Sequence, residues 1–146
     1  MDAKRSFHKN RIMIFGTFDP LHKGHLNFFK QAKKIKKNSF LIVSVARDIN
    51  VKKVKGSLPF LGEIKRAESV KLCKDVDLVV LGAIRNTLQH IQKHKPHIIA
   101  LGYDQKEYVE NLQKKLQKKG INVEICRLKA YMPHVYKSSI IKQKVV

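Results

Sequence analysis

Two histidines three residues apart, His22 and His25, close the segment Gly16-Thr17-Phe18-Asp19-Pro20-Leu21-His22-Lys23-Gly24-His25. The segment follows a short apolar run and opens a stretch of helical periodicity, so both histidines fall on one face of a helix N-terminus. Gly24 between them allows a ligand to approach the backbone closely. The unpaired N–H groups of a first helical turn and the positive end of its dipole point to the same place. That combination suits a polyphosphate. The two imidazoles also fit helix capping, core packing or two ligands of a zinc ion, although an HxxH pair alone is a weak metal signal. No G-x-G-x-x-G is present, which removes the main support for dinucleotide-dependent hydride transfer.

The elements around this segment set where it must sit. Residues 11–16 (RIMIFG) form an apolar run closed by Gly16, as expected of a strand buried on both faces of a parallel sheet. Over 24–37, Leu26, Phe28, Phe29, Ala32 and Ile35 recur at three-to-four spacing with lysines opposite, which predicts a helix. Residues 40–46 (FLIVSVA) read as the second strand, 47–62 as a long basic loop, and 63–73 as a helix burying Ile64, Ala67, Val70 and Leu72. A third strand over 77–82, a short helix over 86–94 and a fourth strand over 97–102 follow, then a lysine-rich helix over 106–119 stopped by Gly120. A fifth strand spans 121–128, and a terminal helix begins at Ser138 and runs over 138–146. Strands and helices alternating at this spacing imply right-handed crossovers and a doubly wound α/β domain with one parallel sheet of about five strands. Ligands of such sheets bind beyond the carboxyl ends of the strands, which here means the segments after Gly16, Ala46, Gly82, Gly102 and Leu128.

The chain of 146 residues is sized for one domain, taken as 11–146 after a flexible N-terminal extension over 1–10. With 31 Lys+Arg against 11 Asp+Glu the formal charge is +20, and the 43% hydrophobic content argues against disorder. The excess is nearly all lysine beside helical apolar positions, and no basic stretch is interleaved with aromatics. The charge therefore predicts attraction for small polyphosphates and nonspecific sticking to nucleic acid, and no specific nucleic-acid partner. A basic nucleic-acid-binding module is the non-enzyme alternative. Cys73 and Cys126 lack the spacing of a zinc or redox motif, and reduced thiols in a cytoplasm fit them. No apolar run approaches a membrane span, and MDAKRSFHKNR lacks the apolar region of a signal peptide.

The ten-residue segment resembles the HxGH signature of the nucleotidyltransferase superfamily, which holds cytidylyltransferases and several adenylyltransferases; the likeness runs from Arg11 to near the C-terminus. The resemblance implies that a substrate phosphate attacks the α-phosphorus of a nucleoside triphosphate in line and expels pyrophosphate, with His22 and His25 stabilising the transition state. It implies that the segment after the second strand supplies a catalytic lysine, for which Lys52 and Lys53 are candidates, with Lys55 beside them. It places Gly16, Thr17, Phe18 and Gly24 at the nucleotide, together with Gly102, Tyr103 and Asp104 after the fourth strand. The hydroxyls of Ser138 and Ser139, in Tyr136-Lys137-Ser138-Ser139, then grip the outer phosphates where CTP-using members carry R-T-E-G-I-S-T. Asp19, Arg47, Lys55 and Arg66 fall to the acceptor.

Within the superfamily, the A-R-D-x-x-V-K-K-x-K-G run at 46–56, L-G-Y-D-Q at 101–105 and the paired serines look most like archaeal-type FAD synthases. That resemblance implies ATP and FMN as substrates, with Mg²⁺ held by the nucleotide's phosphates because no dense carboxylate cluster exists to cage it. Phe60, Tyr103 or Tyr131 would wall the flavin. A CTP-dependent glycerol-3-phosphate cytidylyltransferase-like enzyme and a phosphopantetheine adenylyltransferase are the alternatives, and a homodimer is the family's expectation.

Overall fold

A computed structural model describes residues 10–102, 105 and 107–129. The first strand, β1 (Asn10–Gly16), carries residues buried toward both faces and takes the centre of the sheet. It pairs in parallel with β2 (Ser39–Val45) over seven residue pairs, from Asn10 opposite Ser39 to Gly16 opposite Val45. On its other side β1 pairs with β4 (Ile98–Leu101), and β3 (Leu78–Leu81) and β5 (Glu124–Arg127) form the edges. The order β3-β2-β1-β4-β5 is all parallel, so the chain switches direction of travel between β1 and β4. The doubly wound expectation is what the sheet shows.

Alternation along the central strands divides the core in two. Ile12, Ile14, Leu41, Val43 and Ala100 pack with Phe29 and Ala32 of α1 (Lys23–Lys33) and Val70 of α3 (Glu63–Lys71). Met13, Ile42 and Ile99 face Ile91 of α4 (Thr87–His94) and Leu112 and Leu116 of α5 (Glu107–Lys118). Burial on both faces is why the strands read as unbroken apolar runs. The last turns of all these helices carry lysine, where the negative end of the helix dipole favours a cation, which accounts for part of the charge without a nucleic-acid partner.

Four expectations are corrected. The basic loop contains a helix, α2 (Asp48–Lys55), closed by Gly56 in the left-handed conformation at φ 84°. It escapes periodicity analysis because only Val51 on it is buried. Ile64 and Leu72 are exposed, at 59% and 88%, because α3 turns Arg66 and Val70 inward instead. Leu26 is likewise exposed on α1. Asn10, assigned to the N-terminal extension, already pairs in β1; the rest of that extension and the terminal helix lie outside the described residues.

Candidate active site

The turn after β1 is built around Gly16. Phe18, at a left-handed φ of 56°, folds its ring back so that a Cβ on Gly16 would come within 2.5 Å of it. The ring is buried and cannot yield, since it packs edge-on against His25 at 5.0 Å and against Phe29. Phe18 thus belongs to the core and positions His25, where the resemblance had it touching the nucleotide.

His22 and His25 cap α1 reciprocally. Gly24 N–H donates to His22 Nδ1 at 3.1 Å, and His22 N–H donates to His25 Nδ1 at 3.2 Å. An Nδ1 that accepts carries no proton, so each neutral ring holds its proton on Nε2. The rings stack at 3.7 Å. Burial lowers the His22 pKa, and burial followed by the neighbouring His22 lowers that of His25 to about 3. The pair is therefore neutral near pH 7, two N–H donors without net charge at a helix N-terminus. The capping and phosphate-binding readings of the sequence coincide here: the caps occupy Nδ1 and leave the proton on Nε2.

This arrangement fixes the sign of a pH effect. Above pH 6.5 His25 is neutral in both folded and unfolded chains; below it the unfolded chain takes up a proton that the folded chain refuses down to about 3. Stability should fall with acidification by about 1.4 kcal/mol per pH unit from this group, roughly 2 kcal/mol by pH 5. Thermal melts at pH 7 and pH 5 check this, and His25→Asn should flatten the slope.

Asp19 and Arg66 are placed differently from what the resemblance implies. Asp19 is 1% exposed and accepts from the backbone N–H groups of Phe60 at 2.7 Å and Leu61 at 2.9 Å. Arg66 is wholly buried. Its Nη1 donates to the carbonyls of Thr17 at 2.9 Å and Ala46 at 2.8 Å, Nε to that of Leu61 at 2.8 Å, and Nη2 to Asp48 Oδ1 at 2.6 Å. Neither side chain presents itself to an acceptor; both tie together the loops after β1 and β2 and the segment before α3. Glu63, which the sequence did not single out, does similar work, accepting from Arg47 Nε and from the Asp48 N–H that begins α2, each at 2.9 Å.

Beyond the carboxyl ends of β1 to β4 lies a cavity of about 220 Å³. Gly16 and Thr17, Ala46 and Arg47, Gly82 and Leu101 contribute to it from the four strands. α2 forms one wall with Asn50, Val51, Val54 and Lys55, at helical spacing from Arg47. Of the three candidate lysines only Lys55 lines this cavity; Lys52 and Lys53 lie on the exposed remainder of α2. Lys55→Ala should accordingly cost at least tenfold in kcat/KM, as expected for a charged hydrogen bond, with Lys52→Ala and Lys53→Ala within about twofold of the parent. Steady-state kinetics on the three variants decide this.

Gln105, from the L-G-Y-D-Q run, also lines the cavity, with Ser44, Thr87 and His90, which carry no recognisable sequence signal because they come from separate elements. At the β4 side Gly102 N–H donates to Gln105 Oε1 at 2.8 Å, and Gln105 Nε2 donates to Phe15 O, which closes the strand end over the cavity. Tyr103, Asp104, Tyr131, Ser138 and Ser139 lie outside the described residues. Phe60, offered as a flavin wall, is exposed beside α3 and does not line the cavity. No cluster of three or more His, Cys, Asp or Glu able to hold a metal occurs among the described residues, nor does any described helix have the length and apolarity to cross a membrane.

Comparison with known proteins agrees with this fold. The family model described as Cytidylyltransferase-like matches residues 13–144. The FAD synthase of Korarchaeum cryptofilum is 46% identical over 119 residues, covering 81% of this chain and 80% of that protein. The FAD synthase of Thermococcus sibiricus is 42% identical over 140 residues, covering 94% and 93%. Among solved structures, one described as the lipopolysaccharide core biosynthesis protein from Thermoplasma volcanium superposes with a TM-score of 0.77 at 38% identity, covering 84% of this chain and 98% of that one. With its histidine-capped turn, its parallel sheet and these relatives along most of its length, the chain belongs to the cytidylyltransferase-like family of nucleotidyltransferases.

Proposed function

We infer that the protein is an FAD synthase, transferring the adenylyl group of MgATP to FMN and releasing pyrophosphate. The observation that carries this reading is the neutral, reciprocally capped His22–His25 pair at the N-terminus of α1, taken with relatives that are FAD synthases. A phosphate oxygen of FMN forms the new bond to the α-phosphorus, the bond to the bridging oxygen breaks, and pyrophosphate leaves with that electron pair. Such transfers are catalysed mainly by positioning and by neutralising charge on the phosphoryl oxygens. The imidazole Nε2–H groups and the positive end of the α1 dipole supply this at the α-phosphate. Lys55 and Arg47 supply positive charge from the α2 side.

The divalent cation enters as part of the nucleotide substrate. Asp19, the carboxylate nearest the histidines in sequence, has its oxygens engaged by two backbone amides, which leaves the ATP phosphates as the ligands of Mg²⁺. Gly102, Tyr103 and Asp104 are assigned to the nucleoside, and Ser138 and Ser139 to its outer phosphates. The cysteines are free thiols, as a cytoplasmic enzyme would keep them.

The test is chromatographic detection of FAD from purified protein, MgATP and FMN, with His25→Ala as the blank. FAD formed by the parent and not by the variant is the expected result. Absence of FAD, with pyrophosphate released from CTP and a small phosphorylated alcohol, would replace the reading with cytidylyl transfer.

A further inference from the structure

The second strand is buried along its length and apolar except for its two serines, and Ser44, near its carboxyl end, is 2% exposed. A hydroxyl in such a place needs a partner, and it has one: Ser44 Oγ lies 2.9 Å from His90 Nε2 on α4. Burial, followed by the charge of Lys93, lowers the His90 pKa, so the ring is neutral and offers one donor and one acceptor. Both side chains line the cavity above the sheet. The space over them is kept by Gly82, where a Cβ would stand 3.5 Å from Ser44 Oγ and 3.3 Å from the Val45 carbonyl.

A third polar group on the same cavity is left incomplete. Asn50 Nδ2 donates to the carbonyls of Ala83 and Ile84, each at 3.2 Å, which fixes the orientation of the amide. Its Oδ1 is buried and has no hydrogen-bond partner among the described residues. A buried acceptor without a donor costs about 1–3 kcal/mol, so a ligand N–H supplied there would recover a substantial interaction.

We propose that Ser44, His90 and Asn50 form the specificity end of the acceptor site and read the imide edge of the flavin ring. That edge presents a carbonyl, an N–H and a second carbonyl in one plane. Asn50 Oδ1 accepts from the imide N–H, and the Ser44–His90 pair donates to a neighbouring carbonyl. All three groups are neutral, which matches an uncharged heterocycle and leaves the phosphates to the cationic and histidine side of the site. This assignment rests on the reading of FMN as acceptor. Adenine also sets a donor beside an acceptor, through its exocyclic amine and N1, so the KM for ATP is the control that separates the two ligands.

The experiment compares FMN with N3-methyl FMN, in which the imide N–H is blocked, by flavin fluorescence titration and by steady-state kinetics with ATP. The parent protein should bind N3-methyl FMN about tenfold more weakly than FMN, and Asn50→Leu should abolish that discrimination. Ser44→Ala and His90→Leu should each raise the FMN dissociation constant by about tenfold with the KM for ATP within twofold, and His90→Gln should restore part of the loss. Equal binding of the two flavins by the parent protein overturns the proposal and needs no variant. So does a rise confined to the KM for ATP, or one shared equally by ATP and FMN. If the parent makes no FAD at all, the FMN reading falls and this assignment with it; FAD formation with unchanged flavin binding in the variants removes this assignment alone.

Discussion

Replacing His25 with alanine is expected to lower kcat for FAD formation by about 10²- to 10³-fold, the usual loss when one preorganised donor to a developing anion is removed. The KM for ATP should move far less, because in the proposed mechanism the His22 imidazole and the positive end of α1 still act on the phosphates. His25 also accepts from the His22 N–H, so the variant loses one side of a capping box, and its melting temperature should be followed beside its rate. The pH profile separates two versions of the chemistry. Neutral imidazoles donating through Nε2 give a rate that does not decline between about pH 6 and pH 8 on their account. A rate that falls as pH rises through this range would mean that the imidazolium is the active form, and would overturn the neutral-donor mechanism.

Arg66→Leu is expected to be the most damaging substitution for stability, by about 3–5 kcal/mol, or roughly 10 °C in melting temperature. The guanidinium is wholly buried and donates to three carbonyls and to Asp48 Oδ1. Its removal strands those acceptors away from water. Lysine should not rescue it, since an ammonium cannot reproduce a planar fork that meets acceptors from several directions. Asp48 is about one-third exposed, so Asp48→Asn should cost only about 1 kcal/mol. Thermal and urea unfolding of the three variants check the order. If Arg66→Leu melted like the parent and lost only activity, the acceptor-binding role implied by family resemblance would be restored.

What was legible in the sequence divides along a physical line. Strands β1 and β2 and the turn at His22 declare themselves because their signals are local: an apolar run closed by glycine, then two histidines one helical turn apart. Helix α2 is nearly silent, since a single buried residue on eight leaves no period to detect. Asp19 and Arg66 fall to the acceptor by family resemblance, which carries a role but not the partners of a side chain. Most of their actual partners are backbone groups with no side-chain signature, among them the Phe60 N–H and the Thr17 carbonyl, 41 and 49 residues away in sequence. Ser44 and His90 likewise meet only when β2 and α4 are brought together. The sequence therefore marks the proposed phosphate end of the site more clearly than the proposed acceptor end.

The anchoring of the segment before α3 bears on how the protein opens. A stretch at the surface that follows Gly56 would ordinarily exchange its amide hydrogens within seconds. The Phe60 and Leu61 amides instead end on a carboxylate that is itself 1% exposed, beneath the turn that carries the histidines. Those two hydrogens are expected to exchange as slowly as amides of the central strands, which would make this outer segment part of the same cooperative unfolding unit as the sheet.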